Sequence, residues 1–340
     1  MSAPVIKWEA LDQDNLLSEL RGYFREHGGV WIRNMPHDAY LKVPAMSGSG
    51  IVRFRRSPHH FRNTPDKPPT PAMLLGTALH MRLLEPDRYK GYYVALGQCE
   101  GTKADGDRCS YKGKVHRAGQ SFCGRHDPDP DAPMDVEVIG EEDQARVEGA
   151  AQAVLSHPKA GQFFRGTGWS EVSGFWRDPD TGVACRIRLD RDIERAPVHC
   201  DVKLTDDARP HAFHRIAARL GYHIKAAWYR RGMEALGRPA LASTLIAVEK
   251  GVTYPRGTWE PGMATGPHGV MVYTLDEDQL KVLSLQVEDD LALYRHCVKA
   301  NEWPAYPEDV RTLYMKDFAM QRDFDSADEE DEDGVEVEFD

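Results

Sequence analysis

The sequence predicts a mixed α/β (α+β) protein, with a central mixed sheet flanked by helices. Three observations carry this. Apolar residues recur at helical spacing in the front half, most clearly in PAMLLGTALHMRLLEP. Farther on, EVSGFWRD, ACRIRLDRDI and VHCDVKLT are short, rich in β-branched or aromatic residues and partly alternating, as half-buried strands are. The resulting order, helices and then strand-strand-strand-helix-strand, is that of helices laid on a mixed sheet.

Taken in order, a short helix is expected around Leu11–His27, followed by an extended WIRNM. A Ser-Gly-Ser turn then precedes IVRFRR, and the hydroxyl of Ser47 or Ser49 suits an N-cap for a helix through Arg55. The PAMLLGTALHMRLLEP helix is expected to end at Pro86. Residues 91–135 are dominated by Gly, Asp, Lys, Arg, Cys and His and read as an insertion, with HDPDPDAP as its exit linker. Helical spacing returns over 141–158. Between the first two strands DPDTG is a hairpin turn, with Pro179, Asp180 and Gly182 supplying the turn chemistry. One helix is expected over Pro210–Ala235, stopped by Gly237 and Pro239. LASTLIAVEK and GVMVYTL are strands, Asp276–Ala300 is a long amphipathic helix, and WPAYPEDVRTLYMKDFAM closes the fold. The expected organisation is a helical part over 1–90, the insertion over 91–135, a core over 136–322 and a disordered acidic tail over 323–340.

The formal net charge of -11 misleads. Residues 323–340 hold eleven Asp or Glu and no Lys or Arg, and without them 43 acidic residues face 43 basic ones. A nucleic-acid partner would therefore need a local basic patch, because the whole-molecule field does not supply one. No apolar run reaches membrane-spanning length, and the opening MSAPVIKWEALDQDNLL lacks an apolar signal core, so the cytoplasm is the expected location. There the six cysteines are expected to be free or metal-bound rather than paired.

The strongest chemical signal is Asp190, then Asp201-Val202-Lys203. On a strand, residues i and i+2 share a face, so Asp201 and Lys203 point together. Antiparallel pairing of neighbouring strands would bring Asp190 beside Asp201. Two close carboxylates repel unless a cation joins them, and hard oxygen ligands select Mg²⁺ or Mn²⁺. Lys203 can orient or deprotonate an attacking water, or neutralise charge on a phosphorus centre. A bare D-x-K is common on exposed hairpins. Here it sits in VHCDVKL, a half-buried strand where a charge is costly unless coordinated or paired.

Asp190, Asp201-x-Lys203 and the following GYHIKAAWY resemble the RecB-like branch of the PDDEXK nucleases, and more narrowly the exonuclease VIII (RecE-type) nucleases of phages and prophages. SGSGIVRFRRSPHHF resembles their entry helix, GTALHMRLLEP their G-x-A-x-H-x-x-x-L-E-P helix and WPAYPEDV their closing element. The resemblance spans about Ser47–Leu313, interrupted by the insertion. It implies a restriction-endonuclease-like core, and His80, Asp190, Asp201 and the Val202 carbonyl as ligands of Mg²⁺ or Mn²⁺. Glu171 is a further carboxylate that either serves this metal or is a plain strand-edge charge. The family carries Gln and, four residues later, Tyr on the helix after the D-x-K strand. Here the pair is Lys225 and Tyr229, which share a helical face. Lys225 either grips a phosphate or pairs with a carboxylate, and Tyr222 is a second candidate on the same helix.

Cys99-x9-Cys109-x13-Cys123-x2-His126 is the other informative pattern. Thiolates and imidazole suit tetrahedral Zn²⁺, and a segment this polar needs a metal to fold. The pattern resembles a small zinc-binding module of phage and bacterial proteins. Between Cys99 and His126 there are six Lys or Arg against three acids, which suits a DNA-backbone contact as well as a structural flap or an oligomer contact. Cys185, Cys200 and Cys297 lie in apolar elements and read as core residues. Arg53, Arg55, Arg56, His59 and His60 form a basic cluster whose default reading is surface charge.

The expected activity is metal-dependent hydrolysis of DNA. The resemblance implies exonuclease action on double-stranded ends, 5′ to 3′, leaving an overhang for a single-strand annealing recombinase. It also implies a homo-oligomer in the form of a ring. An endonuclease, a single-strand nuclease and a non-catalytic DNA-binding or regulatory protein remain as alternatives.

Overall fold

In a computed structural model that describes residues 2–65, 67–132, 136–193, 196–255, 258–310 and 312, the chain begins with β1 (Val5–Lys7) and a 3-10 turn at Trp8–Ala10. The first helix, α1 (Leu16–His27), starts later than its apolar spacing suggests. The Asp12 carboxylate accepts the backbone N–H groups of Asp14 and Asn15, and this side-chain turn displaces helix over those residues. Gly28, at φ +74°, ends α1, and β2 (Gly29–Arg33) carries the expected extended segment into the interior.

After α2 (His37–Lys42), Ser47 caps α3 (Gly48–Arg56) by accepting from the N–H of Gly50 at 3.1 Å. Ser57 likewise caps α4 (Pro58–Asn63), and Thr70 caps α5 (Pro71–Leu84). Pro86 does more than stop α5. It occupies the first turn of α6 (Pro86–Tyr92), where its missing N–H costs nothing. The insertion leaves the body through β3 (Tyr93–Ala95) and contains the hairpin β4 (Val115–Arg117) and β5 (Gln120–Phe122). It returns through β6 (Glu137–Ile139), which pairs in parallel with β3 and closes the neck. Helix α7 (Glu141–Ser156) follows, then the single turn α8 (Gln162–Arg165).

The three expected strands are β7 (Gly168–Arg177), β8 (Ala184–Ile193) and β9 (Val198–Thr205). Where one helix was expected over Pro210–Ala235 there are two, α9 (Pro210–Arg219) and α10 (Tyr222–Ala235). Gly221 breaks them at φ +67°, and a Cβ there would fall 2.8 Å from the Val52 side chain. Next come β10 (Ala242–Glu249), β11 (Val270–Thr274) and α11 (Glu277–Ala300), whose N-cap is Asp276.

The expected single sheet is two. One has the order β1-β2-β7-β8 and the other β11-β10-β9. Within the first, β1 is parallel to β2 and the rest are antiparallel; in the second, β9 and β10 are parallel. Among the described residues no ladder joins the Asp190 and Asp201 strands; the Asp190 carboxylate instead accepts the N–H of Val202 at 3.0 Å. One core, with Trp176, Ile187, Trp228, Val287 and Leu291, lies between the first sheet and α10 and α11. A second packs Cys200, Val202, Ile246 and Val248 of the other sheet against Leu79 and Leu83 of α5 and Ala151 and Val154 of α7. Each fully buried large side chain contributes about 1.5–3 kcal/mol relative to exposure.

Cys185, Cys200 and Cys297 are all buried, and burial raises each thiol above its ordinary value. These are core residues. The acidic residues 323–340 lie outside the described residues. Up to Pro304 the described residues form one compact unit.

Candidate active site

Strand parity builds the site. On β9, Cys200 and Val202 face the core against α5, so His199, Asp201 and Lys203 face the other way, toward α10. Asp190 comes from β8. From α5, whose Leu79 and Leu83 anchor it against Val202, His80 reaches across to the same place.

Ligand atoms of His80, Asp190 and Asp201 all lie within 4.8 Å of one another. His80 Nδ1 is 3.6 Å from Asp190 Oδ2, and His80 Nε2 donates to the Val202 carbonyl at 2.7 Å. Lys203 donates to Asp201 and also reaches the Val202 carbonyl at 3.4 Å. Its Nζ stands 5.2 Å from the centre of the Tyr222 ring.

These neighbours pull the two carboxylates apart. Burial pushes Asp190 well above the usual carboxylate range, and the nearby Asp201 charge adds to this against His80. Burial also works to raise Asp201, but Lys203, His199 and His80 outweigh it, and Asp201 falls below its ordinary value. Lys203 is raised, burial being overcome by Asp201 and Asp190. The donor set of two carboxylate groups, an imidazole and a backbone carbonyl fits a hard divalent cation.

Glu171 lies elsewhere in the network. It sits inside β7, between the paired positions Ser170–Arg191 and Val172–Leu189 and hence opposite Asp190, with a left-handed backbone at φ +53°. Its carboxylate pairs with Arg188, which also donates to the Met35 carbonyl at 2.9 Å and to Ser173 Oγ at 3.0 Å. Glu171 is thus paired with Arg188, opposite Asp190 and outside the mutual 4.8 Å group of His80, Asp190 and Asp201.

Lys225 and Tyr229 share a face of α10. Tyr229 stacks on His199 at 4.4 Å between ring centres, and burial raises its phenol well above the ordinary value. Lys225 Nζ is 5.4 Å from the centre of the Tyr222 ring. Sequence reasoning missed two participants. His199 is 1% exposed, neither ring nitrogen has a hydrogen-bond partner among the described residues, and burial lowers its proton affinity to about 4. Arg188 anchors Glu171. Each precedes a site aspartate by two residues on its strand, so the two-residue period was the signal available.

The basic cluster is largely occupied. Arg55 pairs with Asp290 at 3.2 Å and with Gln286 at 2.8 Å, and Ser57 Oγ and His60 Nδ1 are 2.7 Å apart.

In the insertion, the ligand atoms of Cys99, Cys109, Cys123 and His126 also lie within 4.8 Å of one another. Cys99 Sγ and Cys123 Sγ are 3.4 and 3.5 Å from His126 Nδ1, and Cys109 Sγ is 3.9 Å from Cys123 Sγ. A tetrahedron with metal–sulfur bonds of about 2.3 Å has sulfur–sulfur edges of about 3.8 Å, so the cluster has the dimensions of a closed thiolate–imidazole shell. Burial opposes ionisation of Cys123, but the N–H groups of Arg125 and His126 and the neighbouring thiols lower it. Gly101 is required here, because a Cβ would fall 2.4 Å from the His126 ring.

Comparison with known proteins gives one family. The model of a PDDEXK-like domain of unknown function (DUF3799) matches residues 47–315. No curated protein matches the chain. A crystal structure from Eubacterium rectale, described as a "putative exonuclease", is similar at a TM-score of 0.47 and 12% identity, covering 79% of this chain and 87% of that one. Among the described residues no helix is long and apolar enough to cross a membrane.

Proposed function

Because the chain belongs to the family of PDDEXK-like domains (DUF3799), we propose that it is a metal-dependent deoxyribonuclease hydrolysing phosphodiester bonds at double-stranded DNA ends. The observation that carries this is the convergence of His80, Asp190 and Asp201 within 4.8 Å, with Lys203 bonded to Asp201. His80, Asp190, Asp201 and the Val202 carbonyl would hold Mg²⁺ or Mn²⁺, which when bound supplies Lewis acidity toward the phosphate and acidifies water. Lys203 brings an ammonium to the charge that develops on the phosphorus oxygens. Arg188 holds Glu171 beside this set, close enough to bear on Asp190 electrostatically. Tyr229 stacks on His199, which shares its face of β9 with Asp201 and Lys203.

The sequence resemblance supports the finer reading: 5′ to 3′ exonuclease action, a homo-oligomer enclosing DNA, a single-strand annealing recombinase as consumer of the overhang, and a cytoplasmic setting in phage-type recombination. Structural Zn²⁺ in the Cys99, Cys109, Cys123 and His126 cluster belongs to the same proposal, supported by the fit of its dimensions.

End-labelled linear duplex and covalently closed circular DNA, each with Mg²⁺ or Mn²⁺, test the activity. The linear substrate is expected to be degraded and the circle to persist. Asp201→Ala and Lys203→Ala are expected to lose at least about 100-fold in rate, the scale of one electrostatic or acid–base contribution. Cutting of the circle would instead indicate an endonuclease. The nuclease reading fails if no DNA is degraded, or if both variants match the wild type.

A further inference from the structure

We propose that Lys225 is a phosphate-binding residue, engaging a phosphodiester of the DNA strand next to the one that meets Lys203. This rests on the nuclease reading and deepens it.

The two lysines stand on different elements, β9 and α10, yet both ammonium groups converge on one aromatic ring: Lys203 Nζ at 5.2 Å and Lys225 Nζ at 5.4 Å from the centre of Tyr222. Their electrostatic situations differ. Lys203 is neutralised by Asp201. Lys225 has no hydrogen bond or ion pair among the described residues. Among the described residues its charge lies over the face of Tyr222, a weak electrostatic partner.

An ammonium half-removed from water and unpaired is costly, and the cost is recovered when an anion arrives. Burial and the Lys203 charge both weaken the hold of Lys225 on its proton, with only Asp201 opposing, so the site lacks negative charge on that side. The stem of Lys225 runs beside the start of α3: a Cβ on Gly48, its first residue, would be 3.5 Å from Lys225 Cγ and 3.3 Å from the Trp228 ring. A cation beside α3, whose head has no ion pair among the described residues and whose neighbour is Lys203, suits a repeating polyanion, in which one phosphate follows another along the strand.

The test measures equilibrium binding of a fluorescent linear duplex to the full-length wild type, Lys225→Gln and Lys225→Arg at several salt concentrations. Ca²⁺ replaces Mg²⁺, and gels on the same samples verify that the DNA stays intact. Losing one phosphate contact is expected to lower the slope of log affinity against log salt by about 0.9. Lys225→Gln is therefore expected to bind several-fold more weakly at low salt, independently of sequence, with that smaller slope. Lys225→Arg is expected to restore both. A merely structural lysine would alter thermal unfolding but leave the slope alone. An unchanged slope in Lys225→Gln, or a Lys225→Arg variant that behaves like Lys225→Gln, overturns the assignment. If the wild type degrades duplex DNA but the slope does not move, this inference alone falls. If the wild type neither binds nor cuts DNA, the nuclease reading falls with it.

Discussion

At the residue scale, the protein handles buried charge in two ways. At Asp190 burial outweighs the pull of His80 and Lys203 and holds the carboxyl above the ordinary range. Asp178, at the far end of the β7–β8 hairpin, is fully satisfied instead. It is completely buried, accepts from Thr181 N at 3.0 Å and Oγ1 at 2.8 Å, and receives Arg231 at 2.7 and 2.9 Å. Burial would raise its pKa, but these partners lower it below the ordinary 3.8. A depressed carboxylate contributes stability above its unfolded pKa of about 3.9 and loses it as pH falls through the lower folded value. Asp178→Asn is accordingly expected to cost about 2 kcal/mol at pH 7, the worth of hydrogen bonds to a charged group. The difference from wild type should shrink toward zero as pH drops from about 4 to below 3. Urea unfolding of both proteins across that range measures it, and a gap independent of pH would mean that Asp178 is not ionised in the folded protein.

At the element scale, breaks matter as much as elements. Gly221 separates α9 from α10 and so decides where the helix bearing Tyr222, Lys225 and Tyr229 begins. Its φ of +67° and the 2.8 Å at which a Cβ would stand from the Val52 side chain both oppose a side chain. Gly221→Ala is expected to destabilise the protein by about 2–3 kcal/mol, combining left-handed backbone cost and overpacking. Calorimetry should register this as a drop in Tm; a wild-type Tm would show that α3 yields freely. Ser47 works in the other direction. Its cap starts α3 where Gly48 can lie against Lys225, and such a cap contributes about 1 kcal/mol.

At the scale of the whole molecule, a body and a polar insertion are joined through the narrow β3–β6 neck. The insertion's buried cluster consists of Cys99, Cys109 and Cys123, with Phe122 packed against it, so its folding is expected to depend on metal while the body's is not. One Zn²⁺ per chain is expected, lost in Cys123→Ser. That variant should be cleaved by protease within 91–135 while the rest of the chain keeps its circular dichroism. Protection unchanged by the substitution would sink the metal-folded insertion. By itself the sequence determined what local rules control. The two-residue period put Asp201 and Lys203 on one face, the hydroxyl before IVRFRR marked the cap of α3, and the Cys99, Cys109, Cys123 and His126 group was readable from residue type and spacing. Tertiary structure alone decided the rest. Asp190 meets Asp201 with its carboxylate on the Val202 N–H; Glu171 pairs with Arg188; and His199 is sealed beneath Tyr229. Periodicity fixes the direction of a side chain relative to its own backbone, whereas its partner is chosen by packing between segments far apart in the chain.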